Sequence, residues 1–500
     1  MSVLVFVVVA FVFAGLAAVA RGDVRARTAL GVIGLGAALV AAVVMDPAQT
    51  IEIGGGGVAT TPYLRLFLIL GSLVGLGLAV SGLAGGSRRD APAVTLAILG
   101  ASGLTLALVD PRAAVLVATA GGLFGVLVTL IPGNGRAGAT IGIRETRAVV
   151  VAGALAIAAT AWFGRDLSQL AAQPVVFGLA YLAFAVAVAM RFGAIPFHLW
   201  AARLTDVVPE TSLPFLTAVA PAALAVVALA WIDASVAPLL VDVGSARVFV
   251  LGIAVASIVL AAIAAFVQDD LEHVLGYSIV GDAGVVMLAL ATLEPEAWAP
   301  ARMWILVFIV ARSAFAGWVA GVRAGFWTSR IADLRGWAWR SPPLAVAFVL
   351  VVIASVGFPG LVAFDARTSI VDMALEPPLS GIVLLATLLP LAYYGRLAAI
   401  GLGRPDRVVD PVGTWMPRLA VPDRGASGLR AWVAGGWEVN RAFTTATVAV
   451  LLALLALATS AGGFGGPEAA AGLPPSVGIP GETVSPIDSG EPPPTESVEP

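Results

Sequence analysis

Several charged side chains lie inside otherwise apolar stretches of this sequence. Arg191 and Arg312 each fall within a long apolar run, Asp282 lies a few turns into another, and Asp365 and Arg367 share a fourth. A charge near the centre of a bilayer costs about 2.5–3.5 kcal/mol on insertion scales, so such residues usually face a polar interior. This pattern predicts an ion or proton path, and the alternative for each residue is a structural ion pair or a side chain that snorkels to the interface.

The sequence restricts which groups could carry a proton. It contains no cysteine and no lysine, so all 28 of its basic residues are arginines. Arginine stays charged in proteins and cannot exchange protons, although it can hold a neighbouring carboxylate ionised. Histidine suits proton transfer because its ordinary pKa lies near neutrality. The candidate titratable groups are Glu145, His198, Asp269, Asp270, Glu272, His273, Asp282 and Asp365.

The composition is that of an integral membrane protein. Of the 500 residues, 59% are hydrophobic and 12% are charged, and the mean hydropathy is +0.99. Soluble domains carry about 25% charged residues, so a soluble enzyme and a disordered protein are excluded. The net charge of −3 offers no basic excess for nucleic acid. Without cysteine, and with two histidines, no metal site or bound cofactor is predicted.

Apolar stretches long enough to cross a bilayer, which takes roughly 20 residues, recur along the chain. We predict an all-α membrane protein of about fourteen transmembrane helices. The predicted spans are residues 3–20, 29–45, 63–83, 91–109, 113–132, 148–164, 172–195, 213–232, 248–267, 274–292, 302–322, 343–364, 379–402 and 443–463.

The arginines predict the orientation of these spans. If the loop after the first span is cytoplasmic, the cytoplasmic loops carry nineteen arginines and the outer loops carry four. Short cytoplasmic loops carry the positive excess in membrane proteins. The pattern therefore predicts a multi-pass protein of the cell (inner) membrane with both termini outside.

Two predicted spans contain helix-breaking residues at related positions. The seventh runs into Pro196, and the twelfth contains Gly357, Pro359 and Gly360. Proline removes a backbone donor and glycine loosens the helix. Paired breaks in two halves of a membrane protein indicate a transport site. The spacing predicts two inverted five-helix repeats, spans 4–8 and 9–13, with the fourth helix of each broken.

The C-terminal region has a different composition. Residues 465–500 are rich in Pro, Gly and acidic residues and contain no base, so a disordered tail is predicted. The predicted membrane domain is 1–464, with an antiporter-like core at about 91–402.

Three stretches resemble the antiporter-like membrane subunits of respiratory complex I, most closely the N-type subunit of NADH-quinone oxidoreductase. Residues 192–200 read Phe-Gly-Ala-Ile-Pro-Phe-His-Leu-Trp, residues 269–278 read Asp-Asp-Leu-Glu-His-Val-Leu-Gly-Tyr-Ser, and residues 357–361 read Gly-Phe-Pro-Gly-Leu. The first resembles the family's basic residue followed by Pro-Phe-His-Leu-Trp. The other two are similar to the family's Asp-Leu-Lys-Arg-Leu-Leu-Gly-Tyr-Ser-Ser and Gly-Ile-Pro-Pro.

The resemblance implies proton transfer along a central hydrophilic axis. The family's lysines on the seventh and twelfth spans correspond to Arg191 and Arg367, and a family glutamate corresponds to Glu145. The eighth-span lysine falls on Pro221 or Ala222, and the fifth-span glutamate falls near Gly121 or Gly122, so both are missing. The implied path candidates are Glu145, Arg191, His198, Glu272, His273, Asp282, Arg312, Asp365 and Arg367.

Three functions remain open from the sequence. The chain is a proton-translocating subunit of a complex I-like NADH-quinone oxidoreductase, a degenerate structural paralogue that conducts nothing, or an Mrp-like cation/proton antiporter subunit. Each implies other membrane subunits and the lipid bilayer as partners, with no nucleic acid. Quinone and NADH would bind those partner subunits, because the chain has no cofactor motif of its own.

Overall fold

A computed structural model describes residues 2–20, 23–53, 56–85, 92–130, 135–161, 174–235, 244–404 and 441–472. Apolar helices form nearly all of the described part. The first nine helices are α1 (Val3–Val19), α2 (Val24–Val43), α3 (Pro62–Gly85), α4 (Pro92–Ala107), α5 (Pro111–Thr129), α6 (Gly135–Thr160), α7 (Pro174–Phe192), α8 (Leu199–Leu204) and α9 (Ala220–Ser235). A π-helical turn, Phe215–Val219, leads directly into α9.

The second group of helices follows the same pattern. These are α10 (Gly244–Val267), α11 (Leu271–Thr292), α12 (Trp298–Phe326), α13 (Trp337–Arg340), α14 (Pro342–Val356), α15 (Val362–Ala374), α16 (Leu379–Ala386), α17 (Pro390–Leu402), α18 (Arg441–Ser460) and α19 (Gly466–Ala471). Short 3-10 turns cover Pro295–Ala297, Ile331–Leu334 and Gly463–Gly465.

The all-α membrane fold is confirmed. Within the described ranges, ten helical segments are long and apolar enough to cross a membrane, and three shorter apolar helices accompany them. Every one of the fourteen predicted spans coincides with a helix or a pair of helices. The exact number of crossings and the inverted repeats stay predictions.

Both predicted helix breaks occur. The seventh span ends at Phe192, and Gly193 adopts a left-handed φ of +65°. A Cβ on Gly193 would lie 2.5 Å from the Ala201 Cβ, so this turn requires glycine. The twelfth span ends at Val356, where Gly357 has a φ of +61°, and a new helix starts at Val362.

A third break was missed by the sequence analysis. The predicted span 379–402 consists of α16 and α17, separated at Thr387–Leu389. Pro390 begins α17, where its ring removes a backbone donor and interrupts the helix. The break therefore has a local signal in the sequence.

Two further differences lie near the ends of the bundle. Residues Thr50–Ile53 and Gly56–Ala59 pair as an antiparallel hairpin, which the sequence analysis did not predict. The predicted tail begins with the short helix α19. This helix packs at the start of α12, where the Arg302 Nε donates to the Ala470 oxygen at 2.7 Å. Residues 473–500 lie outside the described residues, and disorder there stays a prediction.

The loops sort into two ends, as the alternating topology requires. At one end, Leu271 N donates to the Ser329 oxygen and Ile331 N to the Asp269 oxygen. At the other end, Val109 N donates to the Gly57 oxygen. Each of these contacts joins loops that the arginine pattern assigns to the same side.

Arginines at the second end bind the carboxyl ends of helices. The Arg112 Nε donates to the Thr160 oxygen at 3.2 Å, and the Arg247 guanidinium donates to the Ala291 and Ala374 oxygens at 2.8 and 3.1 Å. A helix carries about half a negative charge at its carboxyl end. The few arginines on this side therefore have a structural use.

Close packing of α10 on α11 gives a test of the fold. A Cβ on Gly284 would lie 2.7 Å from Ile258 Cγ1 and 2.8 Å from the Ala254 oxygen, whereas one on Gly252 would meet nothing within 4 Å. Overpacking costs about 1–3 kcal/mol. We expect Gly284→Ala to lower the melting temperature in detergent by several degrees. The matched change Gly252→Ala should not lower it, and equal melting temperatures for the two variants would contradict this packing.

Candidate functional site

Buried charges form one group in each half of the bundle. In the first half, Glu145 on α6 and Arg191 at the end of α7 are 2% and 3% exposed. In the second half, Asp282 on α11, Arg312 on α12 and Arg367 on α15 are 7%, 0% and 1% exposed. Five of the nine predicted path residues therefore lie inside the protein.

Two glycines on α5 make room for the first-half pair. A Cβ on Gly122 would lie 2.6 Å from Arg191 Nη2, and a Cβ on Gly125 would lie 2.9 Å from Glu145 Oε1. Positions three apart share a helix face, so the two charged ends lie within about one helical turn, ~5.4 Å, along α5. Gly122 occurs where the resemblance places a missing glutamate, and the guanidinium of Arg191 fills that space.

The second-half group is centred on an ion pair. Arg312 Nε donates to Asp282 Oδ2 at 2.5 Å, and Arg312 Nη1 donates to the Tyr394 hydroxyl at 2.7 Å. Arg312 is fourteen residues from either end of α12, a helix of 29 residues and therefore about 43 Å long. The pair thus lies at mid-height in the bundle.

Aromatic side chains brace this ion pair. The rings of Tyr393 and Tyr394 lie 4.5 Å apart, and Phe315 meets Tyr394 edge-on at 5.5 Å. Phe348 contacts Tyr394 at 5.8 Å and Trp318 at 5.0 Å. Such packing excludes water from one side of the pair and fixes the phenol that Arg312 binds.

Arg367 binds the broken helix itself. Its Nη1 donates to the Val356 oxygen, and its Nη2 donates to the Gly357 oxygen at 3.3 Å. These carbonyls end α14, where the break leaves them without helical donors. Its guanidinium carbon also lies 6.0 Å from the Trp304 ring centre. Arg367 therefore stabilises the break with a permanent charge.

A cavity with both polar and apolar lining adjoins Asp282 and Arg367. It leaves about 20 Å³ for the centre of a water-sized sphere, which is enough for a water molecule. Ser355 Oγ and Arg367 Nε are buried there without a hydrogen-bond partner among the described residues. Its polar lining is completed by Tyr277, Ser278, Asp282, Thr387 and Tyr393.

Two other predicted residues gather at the end of the bundle. Glu272 Oε1 lies 3.1 Å from Arg323 Nη1, which also lies 2.9 Å from Glu210 Oε2. The His273 Nε2 lies 3.1 Å from Asp206 Oδ1. Glu272 precedes Asp282 by ten residues of α11, so this rim cluster (Asp206, Glu210, Glu272, His273, Arg323) is about 15 Å from the ion pair.

The remaining two residues lie apart from both groups. His198 follows the first break, and its ring centre is 6.4 Å from that of Tyr277. Its Nδ1 is buried without a partner in the described part of the chain. Asp365 is exposed in the first turn of α15, away from Arg367. Residues two apart on a helix point in different directions, which explains the separation of Asp365 from Arg367.

An apolar contact joins the helices that carry Arg191 and Arg312. Phe192 and Phe308 follow Arg191 and precede Arg312, respectively, and their rings meet at 5.8 Å. The resemblance places the eighth-span lysine at Pro221 or Ala222, and both positions are buried. The charged residues of each half were predicted from the sequence. The contact between the Phe192 and Phe308 rings was not, because no sequence signal shows that α7 and α12 meet there.

Within the described ranges, no group of three or more histidine, aspartate and glutamate side chains is placed to hold a metal ion. Residues 155–391 match the family described as NADH:quinone oxidoreductase/Mrp antiporter, transmembrane. This part of the chain, just under half of its length, is similar to the transmembrane domain of that family.

The chain is also similar in sequence to individual proteins named NADH-quinone oxidoreductase subunit N. The chain is 30% identical over 241 residues to NADH-quinone oxidoreductase subunit N of Halorhodospira halophila, covering 47% of this chain and 49% of the relative. It is 32% identical over 250 residues to the same subunit of Cereibacter sphaeroides, covering 48% and 53%. The match thus spans about half the length of these curated relatives.

Solved structures show that the fold is shared over a longer range. A chain of the Mrp complex from Dietzia sp. superposes with a TM-score of 0.71 at 19% identity, covering 96% of this antiporter-like chain and 98% of that one. A chain of respiratory complex I from Thermus thermophilus gives 0.68 at 19% identity, covering 95% and 100%.

A double-mutant cycle tests the buried ion pair. Breaking a buried pair by removing one partner costs about 3–5 kcal/mol, because the other charge stays buried alone. We expect Asp282→Asn and Arg312→Gln each to lower the melting temperature, and the double variant to recover much of the loss.

The exposed pair Arg396–Asp269, at 3.7 Å with Asp269 88% exposed, is the control for this cycle. It should show almost no coupling. Additive losses at Asp282 and Arg312 would show that the two side chains do not interact.

Proposed function

We propose that this antiporter-like chain is a membrane subunit of a complex I-like NADH-quinone oxidoreductase and translocates protons. The names of its curated relatives support the assembly. The observation that carries proton transfer is the buried Asp282–Arg312 pair beside a cavity large enough for water. Electron transfer would occur in partner subunits, where NADH and quinone bind.

In this proposal the carboxylates carry the proton and the arginines do not. Guanidinium groups stay protonated, so Arg191 and Arg367 serve as fixed charges. Arg191 lies near Glu145, and Arg367 lines the same cavity as Asp282, so each would orient water beside a carboxylate. The rim cluster, with Glu272 and His273, is positioned to exchange protons between the Asp282 cavity and the solution. His198 lies beside Tyr277, which lines the cavity, and would accept protons from the first half.

One observation favours the alternative of a degenerate structural subunit. Pro221 and Ala222 cannot titrate, and the contact between the helices of Arg191 and Arg312 at Phe192 and Phe308 is apolar. A chain of this kind would retain its contacts with partner membrane subunits and conduct nothing. A third candidate is an Mrp-like cation/proton antiporter subunit, because the matching family description also names the Mrp antiporter and a chain of an Mrp complex shares the fold.

Proton uptake by the reconstituted chain distinguishes these functions. We expect potential-driven uptake into vesicles to fall about tenfold or more in Glu145→Gln and Asp282→Asn, since a positioned acid–base group contributes about 10²–10⁴-fold. Arg191→Ala and Arg367→Ala should also abolish uptake, because the carboxylates lose their fixed charges. The matched change of an exposed carboxylate, Asp365→Asn, should leave uptake unchanged.

Other outcomes of this experiment select the alternatives. Uptake that is absent in the unaltered chain, or equal in all variants, would contradict proton translocation and favour a structural subunit. Uptake that requires sodium on the opposite side would favour a cation/proton antiporter.

We further propose that the protein lies in the inner membrane with both termini outside, because the arginine-rich loops belong to the cytoplasmic side. The absence of native cysteine allows single-cysteine labelling. In intact cells, an impermeant maleimide should label Glu296→Cys and should not label Asp333→Cys. Both positions are exposed and lie at opposite ends of the bundle. The reverse labelling pattern would invert the topology.

A further inference from the structure

The second-half charge group carries more positive than negative charge. Among the described residues, the charged side chains that act on this group are Asp282, Arg312 and Arg367. Two guanidinium groups thus face one carboxylate. Lysines could lose the extra proton and become neutral, whereas arginines cannot. The excess charge is therefore permanent.

Nearby backbone dipoles offset only part of this excess. Arg367 donates to the Val356 and Gly357 oxygens at the carboxyl end of α14, which contributes about half a negative charge. The first-half group differs, because Glu145 and Arg191 balance each other one to one. A buried charge without a counter-charge is strongly unfavourable in a membrane-spanning protein.

Two hydrogen-bond donors near the cavity beside Asp282 have no acceptor among the described residues. Arg367 and Ser355 are among the residues that line it, and Arg367 Nε and Ser355 Oγ are buried without a hydrogen-bond partner in the described part of the chain. Arg367 and Ser355 are 1% and 4% exposed. A guanidinium nitrogen can only donate, so this corner of the cavity needs an acceptor.

We propose that this cavity binds a small monovalent anion of the halide class, held by Arg367 Nε and the Ser355 hydroxyl. The anion supplies both the acceptor and the missing negative charge. A cation is disfavoured by the local charge, and a space of about 20 Å³ for the centre of a water-sized sphere favours a small anion over one as large as phosphate. This site does not depend on proton translocation by the chain.

Equilibrium binding of radioactive chloride to the purified full chain in lipid nanodiscs tests the site. We expect saturable binding of one chloride per chain, with gluconate failing to compete because it is too large. Arg367→Gln removes the excess charge and should abolish binding. Asp282→Asn enlarges the excess and should tighten binding about tenfold or more. Because the two variants are expected to change chloride affinity in opposite directions, the experiment distinguishes an effect of charge from a general loss of folding.

Two further variants complete the experiment. Ser355→Ala removes one neutral donor and should weaken binding about two- to tenfold, at an unchanged melting temperature. If Arg367→Gln does not fold, the Ser355→Ala variant still tests whether chloride binds at this site. Arg65→Gln, which alters an arginine bound to the Val43 oxygen far along the chain, should bind as the unaltered chain does.

Three results would overturn the proposal. The first is no chloride binding by the unaltered chain, which would mean that water alone occupies the cavity. The second is binding that survives Arg367→Gln. The third is binding that is indifferent to both Ser355→Ala and Asp282→Asn.

Discussion

A guanidinium group keeps its charge wherever the fold puts it, and this constraint shapes the interior of the bundle. Arg191, Arg312 and Arg367 are almost fully buried, so each needs an acceptor supplied by the protein. Arg312 has Asp282 and Tyr394, and Arg367 has the carbonyls of a broken helix. The helix break and the buried charge therefore stabilise each other.

The same interaction appears at one end of the bundle. Arg112, Arg247 and Arg302 each donate to carbonyl oxygens at the ends of helices. A chain without lysine uses the planar, multi-donor guanidinium wherever helix ends need a cation. The arginines of this protein therefore stabilise helix ends, in addition to predicting the orientation of the spans in the membrane.

The sequence predicted the fold class and both central breaks, because apolar length and Pro/Gly positions are local signals. It also identified Asp282, Arg312 and Arg367 individually. It could not pair them, since Asp282 and Arg312 are thirty residues apart on different helices. Asp365 was predicted as a path residue inside the twelfth span and is exposed instead. The space for Arg191 depends on Gly122, whose function appears only when α5 and α7 are placed together.

Infrared spectroscopy of the carboxyl groups tests the central claim most directly. If Arg312 neutralises Asp282 in the bundle interior, the unaltered chain at neutral pH should lack a protonated-carboxyl band from Asp282. That band should appear in Arg312→Gln and disappear in the double variant with Asp282→Asn. A protonated Asp282 band in the unaltered chain, beside an intact Arg312, would contradict the claim that a fixed cation holds this carboxylate.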